Sequence, residues 1–419
     1  MKIISASNAQ AFAKATQANY DKKLVESIIN QVKKDGDLAL RKFERKFNGV
    51  NLKSLQVSKK EIQDAYKSVT KDQVAAIKLA KAKLAKTEYA LKKQLQKITI
   101  KTDGTIIEKT FTPLENVGCY APGGLARYPS SAIMSIIPAK ITGVKNIIVA
   151  SPPNKQGKID PLVLVAADIC GADKIFKVGG AHAIAALAFG TKSIPRVDKI
   201  VGPGGPFVTA AKYLVSDTVS IDMLAGPTEL AVLADDSADP KLVALDLISQ
   251  AEHSFDTTCC LITTSKILAN KVTDIIKKRI TTLPRKNIIR VSLQKNGLAI
   301  VCKNMSEAVL VANNLAPEHL EIVTKRPNLI AKQVKTAGLV LLGQNTPSAA
   351  SDYLLGTNHI LPTNRLGKSR GSLSVLDFIK IQTIVQSTRQ DLQRIKKPLK
   401  TLTDSENLPN HYEAVRSRL

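Results

Sequence analysis

The chain has 419 residues, 44% hydrophobic and 23% charged, with 61 lysines and arginines against 35 aspartates and glutamates, a formal net charge of +26. That length suits two or three packed units, and no run approaches the roughly 20 apolar residues that span a bilayer as a helix. The five cysteines, Cys119, Cys170, Cys259, Cys260 and Cys302, form no C-x-x-C pair and argue for reduced thiols rather than a disulfide framework.

The opening MKIISASNAQAFAKA has no long apolar core before a small-residue cleavage site, so a cytoplasmic protein is expected. Residues 1–100 read as helical, with apolar residues three and four apart in DKKLVESIINQVKKDGDLALRKFERKF. In KLAKAKLAKTEYALKKQLQK and just before it, Ile77, Leu84, Leu91 and Leu95 stay near one helical face, leaving a solvated basic side. The lysines are scattered and lack interleaved aromatics, which argues against nucleic acid as the partner; a polyanion-binding protein is the competing reading of the charge.

From about Thr99 the period changes. TIIEKTFTPL, NIIVASPP, KIFKV and DKIVG read as strands, separated by helical patterns such as PLVLVAADICG, AHAIAALAFG and PFVTAAKYLV. Alternation of this kind implies parallel βαβ units. A second alternating block starts near Glu229, with TTCCLITT as a buried strand, and the tail returns to helix from about Asp377. The expected class is α/β, with two incomplete, doubly wound Rossmann-like domains and helical N- and C-terminal extensions. The expected divisions are residues 1–23 as an extension, 24–120 with 230–376 as a metal-binding catalytic domain, 121–229 as a dinucleotide-binding domain, and 377–419 as a helical segment.

Glycine clusters follow strands at APGG (121–124), VGGAHA (178–183) and VGPGGP (201–206). Such turns let backbone N–H groups approach a phosphate, although none is a G-x-G-x-x-G fingerprint. Only five histidines occur. Gln250 and His253 sit three apart on one face of a predicted helix. Asp352 and His359 flank Gly356 in SDYLLGTNHILP. Glu318 and His319 follow Pro317, which disfavours helix at Ala316 and favours an extended exit; an acid and an imidazole at an element tip suit proton transfer. Glu406 and His411 lie near a last helix. Each pair alone is compatible with ordinary surface polarity or a turn. Together, Gln250, His253, Asp352 and His411 can supply two nitrogens and two oxygens to Zn²⁺.

The strings VGCYAPGGLARYPSSAIMSIIPAK, KVGGAHAIAALAFGT, VDKIVGPGGPFVTAAK, IDMLAGPTEL, DLISQAEHS, NLAPEHLE, DYLLGTNHILPT and HYEAVRSRL, in this order and spacing, resemble the histidinol dehydrogenase family over nearly the whole chain. The resemblance implies oxidation of L-histidinol through L-histidinal to L-histidine with two NAD⁺, the final step of histidine biosynthesis. It implies zinc on Gln250, His253, Asp352 and His411, and an acid–base pair of Glu318 and His319. Substrate contacts would come from Thr228, His359 and Glu406 besides the ligands and His319. Cofactor contacts would come from Tyr120, His182 and Gly205.

The family is a homodimer in which one subunit's C-terminal segment completes the other's site, which would place Glu406 and His411 there. The chain has His182 where the family usually has Gln, Gly205 where it has Asn, and Thr228 where it has Ser. In the implied chemistry His319, as a neutral imidazole near pH 7, takes the alcohol proton, and Glu318 activates water for the aldehyde step. A dehydrogenase of another small amino alcohol or polyol, and an idle relative lacking coenzyme binding, are the alternatives.

Overall fold

The short β-branched runs form strands, and the structure, a computed structural model, describes residues 1–9, 21–123 and 128–419. In chain order the strands are β1 (Lys2–Ser5), β2 (Ile98–Thr102), β3 (Thr105–Pro113), β4 (Asn116–Tyr120), β5 (Asn146–Ser151), β6 (Lys174–Lys177) and β7 (Lys199–Val201). There follow β8 (Ser220–Ile221), β9 (Glu229–Ala234), β10 (Thr258–Thr263), β11 (Gly297–Val301), β12 (His319–Val323), β13 (Leu339–Leu342) and β14 (Ile379–Gln386). Three sheets result, ordered β6-β5-β4-β7-β8, β1-β11-β10-β9-β12-β13 and β14-β3-β2.

The first two sheets are parallel throughout, as the alternating pattern predicts. Helices cover both faces of the six-stranded sheet. Leu230 and Val232 of β9 face a layer with Leu247, Leu261 and Ile276, while Ala231 and Leu233 face Ile262, Val309 and Ile322. Two buried faces explain the near-continuous apolar reading of these strands. Each large aliphatic side chain buried in this way contributes about 1.5–3 kcal/mol.

The helices Lys22–Asp35 and Asp37–Asn48 do not join that sheet. Val25, Ile28, Leu40 and Phe43 pack with Ile148, Phe176, Ile184 and Leu187 of the five-stranded layer. The helix Lys71–Lys92 likewise buries Ile77 and Leu84 against Val117, Ile133 and Val149. These helices therefore pack with elements of 121–229 on the five-stranded sheet. Helical periodicity says that a face is buried and not what buries it. Leu84 and Ile77 lie on the buried face as expected, whereas Leu95 lies beyond the helix.

Two expectations change. The N-terminal stretch opens with β1, paired to β11. The tail after Asp377 opens with β14, antiparallel to β3, rather than with a helix. Both strands sit at sheet edges, and β14 is exposed along nearly all its length, so the alternation that marks a half-buried strand is missing.

Close strand ends demand glycine at the turns. Gly202 has φ +113°, and a Cβ there would lie 2.2 Å from the Tyr120 carbonyl oxygen; at Gly179 a Cβ would lie 2.4 Å from Pro152 Cβ. Among the described residues no helix is long and apolar enough to cross a membrane.

Candidate active site

The edges of three elements meet around His319. The helix Pro240–Ala251 starts at Pro240, capped by Asp239, whose side chain accepts from Lys241 N. A proline at the first helical position loses no bond. This helix carries Gln250 into the interior, 2% exposed, and His253 follows in the turn beyond it, at the solvent rim.

The helix Met305–Leu315 ends at Ala316, which is left-handed (φ 47°, ψ 57°) rather than extended. The Pro317 restriction thus excludes right-handed helix at Ala316, but Ala316 N still bonds Ala312 O to close the last turn. The chain then enters β12 with Glu318 and His319 buried, 7% and 2% exposed. The short helix Ser348–Ser351 is capped by Asp352. Beyond Gly356, at φ +83°, the loop returns His359, whose Nδ1–H donates to the Asp352 carbonyl at 2.7 Å. That bond leaves His359 Nε2 as the unprotonated nitrogen.

A relay ties these pieces together. Gln250 Nε2 donates to Thr228 Oγ1 at 2.7 Å, and Thr228 Oγ1 donates to Glu318 Oε2. Glu229 N donates to the same Glu318 oxygen at 2.9 Å. Glu318 Oε1 makes no hydrogen bond among the described residues.

His319 Nδ1 lies 3.4 Å from the Glu229 carbonyl oxygen and 3.7 Å from Glu318 Oε2. Its Nε2 is 3.3 Å from Asp352 Oδ1, an ion pair when the ring is protonated, although the geometry falls short of a hydrogen bond. Thr228, Gln250, Glu318, His319, Asp352 and His359 are thereby brought together. His253 is close enough for the Asp352 carboxylate to act on it.

Burial raises the Glu318 carboxyl above its ordinary value, against the opposing pull of His319 and Thr228. Burial alone would lower His319, but the Glu318 and Asp352 carboxylates outweigh it and raise the imidazole to about 9. These flanking acids favour the protonated ring, which must lose its proton before it can act as a base. Burial lowers His253 and His359. Asp352 is pushed up by burial but falls below the usual range because His319, His359 and His253 surround it.

Sequence reasoning missed Glu229, Asp246 and Glu321. Glu229 accepts from Asn364 N at 3.0 Å and from Glu318 N at 3.2 Å, bracketing the acid, and burial raises it to about 7. Its only signal was a carboxylate heading an apolar strand, directly after Thr228.

Glu406 and His411 are exposed on the C-terminal arm. The last helix, Pro409–Arg416, buries no residue, and no contact joins either residue to His319, Gln250 or Asp352. Ile381, Val385 and Leu402 of this arm are 61%, 60% and 62% exposed.

A cavity of 880 Å³ lies beside the five-stranded sheet, walled by Phe47, Tyr120, Pro152, Gly179, His182 and Phe207 among others. That volume suits a small-molecule cofactor. The glycine turn is not free for a phosphate, however. Gly179 N donates to Glu44 Oε1 at 2.8 Å and Gly180 N to the Tyr120 hydroxyl at 3.0 Å. His182 is itself bonded to Glu44 Oε1 at 2.7 Å and packs against the Phe43 and Phe47 rings. Gly205 is exposed, with open space around it, and does not line the cavity.

A buried acid–imidazole pair, with a separate cofactor-sized cavity on a parallel α/β frame, is the equipment of a nicotinamide-linked oxidoreductase. The histidinol dehydrogenase profile matches residues 12–419. The histidinol dehydrogenase of Clostridium acetobutylicum is 43% identical over 397 residues, 94% of this chain and 92% of that protein. That of Methanocaldococcus jannaschii is 41% identical over 405 residues, 96% and 94% of the two chains. The crystal structure of histidinol dehydrogenase from Elizabethkingia anophelis superposes with a TM-score of 0.95 at 34% identity, covering 100% of this chain and 98% of that one. The chain belongs to the histidinol dehydrogenase family, and it is an NAD-dependent oxidoreductase of histidine biosynthesis that oxidises L-histidinol to L-histidine.

Proposed function

We propose that Gln250, His253 and Asp352 hold Zn²⁺ beside the Glu318–His319 pair, and that His411 of the partner subunit supplies the fourth ligand in a homodimer. The observation that supports this reading is that the Asp352 carboxylate lies 3.3 Å from the buried His319 Nε2 and also acts on His253, while Gln250 is tied through Thr228 to the neighbouring Glu318. Two nitrogens and two oxygens are a donor set that zinc accepts in tetrahedral sites. The Gln250 amide is held with Nε2 on Thr228, which turns its carbonyl oxygen, the better ligand atom, away from Thr228.

When bound, zinc supplies a Lewis-acidic anchor for a nitrogen-bearing substrate, and NAD⁺ supplies the hydride acceptor. The residues of the chain do the rest. His319 removes the hydroxyl proton of the alcohol as the hydride leaves its carbon. Glu318, held at Oε2 by Thr228 and the Glu229 amide, keeps Oε1 for a water and takes its proton in the aldehyde step. His359, fixed by the Asp352 carbonyl, presents Nε2 toward the substrate pocket, and Glu406 of the partner subunit receives a cationic amine.

Around the 880 Å³ cavity, Tyr120 and His182 frame a Rossmann-like coenzyme site. Its pyrophosphate is held elsewhere than on the Gly179–Gly180 amides, because side chains occupy both.

NADH formation from L-histidinol should stop when a strong chelator strips the protein and return when zinc is restored. Unchanged activity in protein shown to be metal-free would contradict the metal assignment.

Glu318→Gln should slow oxidation of L-histidinal more than that of L-histidinol, the two being measured separately. The same change removes a carboxylate that raises His319, so the acid limb of the histidinol rate profile, expected between pH 7 and 9, should move to lower pH. Equal slowing of both steps with an unmoved limb would exclude the role.

A further inference from the structure

Below the catalytic residues lies a second tier of polar groups that the reaction itself does not use. His319 and Glu321 are two apart on β12 and therefore point to the same sheet face. Asp246 and Gln250 are four apart on the helix Pro240–Ala251, one turn from each other on a shared face. Ser348 and Asp352 begin and cap the short helix, and Asp352 N bonds Ser348 O at 3.0 Å. Each member of the lower tier thus stands one turn, or one strand repeat, beneath a member of the upper tier.

The lower tier is bonded together as the upper one is. Glu321, 2% exposed, accepts from Ser348 N at 2.7 Å and lies close enough to Asp246 for the two carboxyls to act on each other. Two carboxyl groups brought together in a buried place favour keeping one proton between them over two negative charges. Burial raises both carboxyls, which is the condition for keeping that proton at neutral pH.

One buried side chain therefore locks the helix bearing Gln250 to the turn bearing Asp352, with the strand bearing His319 between them. Gln250 and Asp352 are 102 residues apart in sequence, with His319 between them, and a second side-chain link from the helix runs through Thr228 and Glu318.

We propose that Glu321, through its bond from Ser348 and its contact with Asp246, is a positioning residue that sets the separation of Gln250 and Asp352 and so the zinc affinity of the site. This rests on the zinc reading above. Outer contacts of this kind are worth about 10–100-fold in metal affinity or activity.

The test is zinc affinity of the full-length protein, measured by competition with a chromophoric chelator, alongside the thermal unfolding midpoint. Glu321→Leu removes both interactions at similar volume. Ser348→Pro removes the N–H donor together with the small hydroxyl, at a first helical position that tolerates proline, and so tests the proposal if the leucine variant does not fold. Glu321→Gln keeps a donor for Asp246 and an acceptor for Ser348. Zinc affinity should fall about 10–100-fold in the first two variants and stay within a few-fold of wild type in the third, with the KM for NAD⁺ unmoved in all.

Wild-type affinity in a folded leucine variant or in the proline variant would overturn the proposal, as would a glutamine variant as weak as the leucine one. A wild-type protein that binds no zinc would instead remove the metal reading and this role with it.

Discussion

Replacing His319 with asparagine should lower turnover of L-histidinol at least about 100-fold, the usual lower scale for removing a general base. Asparagine keeps a polar group near the Glu229 carbonyl but has no nitrogen that can take a proton. His319 is 2% exposed and lies between two carboxylates, so no water path replaces it. The loss should fall on kcat rather than on KM, because the ring is proposed to act on the reacting hydroxyl. A factor of 100 corresponds to about 2.7 kcal/mol of barrier. Turnover within a few-fold of wild type, in protein with an unchanged unfolding midpoint, would remove His319 from the role of base.

His411→Asn should be comparably damaging, although His411 lies on an exposed helix that touches nothing near His319. In a lone subunit this change alters a solvated side chain and costs almost nothing. In the proposed dimer it removes one of four zinc ligands from the other subunit's site, so zinc affinity and turnover should both fall by two or more orders of magnitude. The exposed Ile381, Val385 and Leu402 on the same arm supply the apolar surface for that association. An isologous contact would complete both sites at once.

The alternation of strands and helices from β5 to β13 was legible, the two-residue β8 apart, because both faces of each parallel sheet are covered and these strands are short apolar runs. The first hundred residues were legible as helices but not as partners of the five-stranded sheet, since Leu40 or Leu84 looks the same whichever layer receives it. β14 escaped notice because Ile381 and Val385 are exposed and carry no buried alternation. Gln250, His253, Glu318, His319 and Asp352 were each visible as polar residues at element ends. Their convergence was carried by family resemblance, because segments so far apart encode no mutual distance.

Glu321 and Asp246 were invisible for the opposite reason: a carboxylate within HLEIV or LVALDLIS reads as a solvent-facing residue of an amphipathic pattern. The charge state of His319 also lay beyond the sequence, as the acid nearest in space besides Glu318 comes from residue 352. The occupied glycine amides at residues 179 and 180 belong to the same class, closed by Glu44 and by Tyr120 from distant strands and helices.

Mixing two inactive variants tests the shared site most directly. His319→Asn and His411→Asn subunits, unfolded together and refolded as a mixture in equal amounts, form heterodimers in which one site carries both changes and the other carries neither. Random pairing then leaves one site in four intact, so activity should return to about a quarter of the wild-type value, while each variant refolded alone stays inactive. A mixture no more active than its components would contradict a site assembled from two copies of this chain.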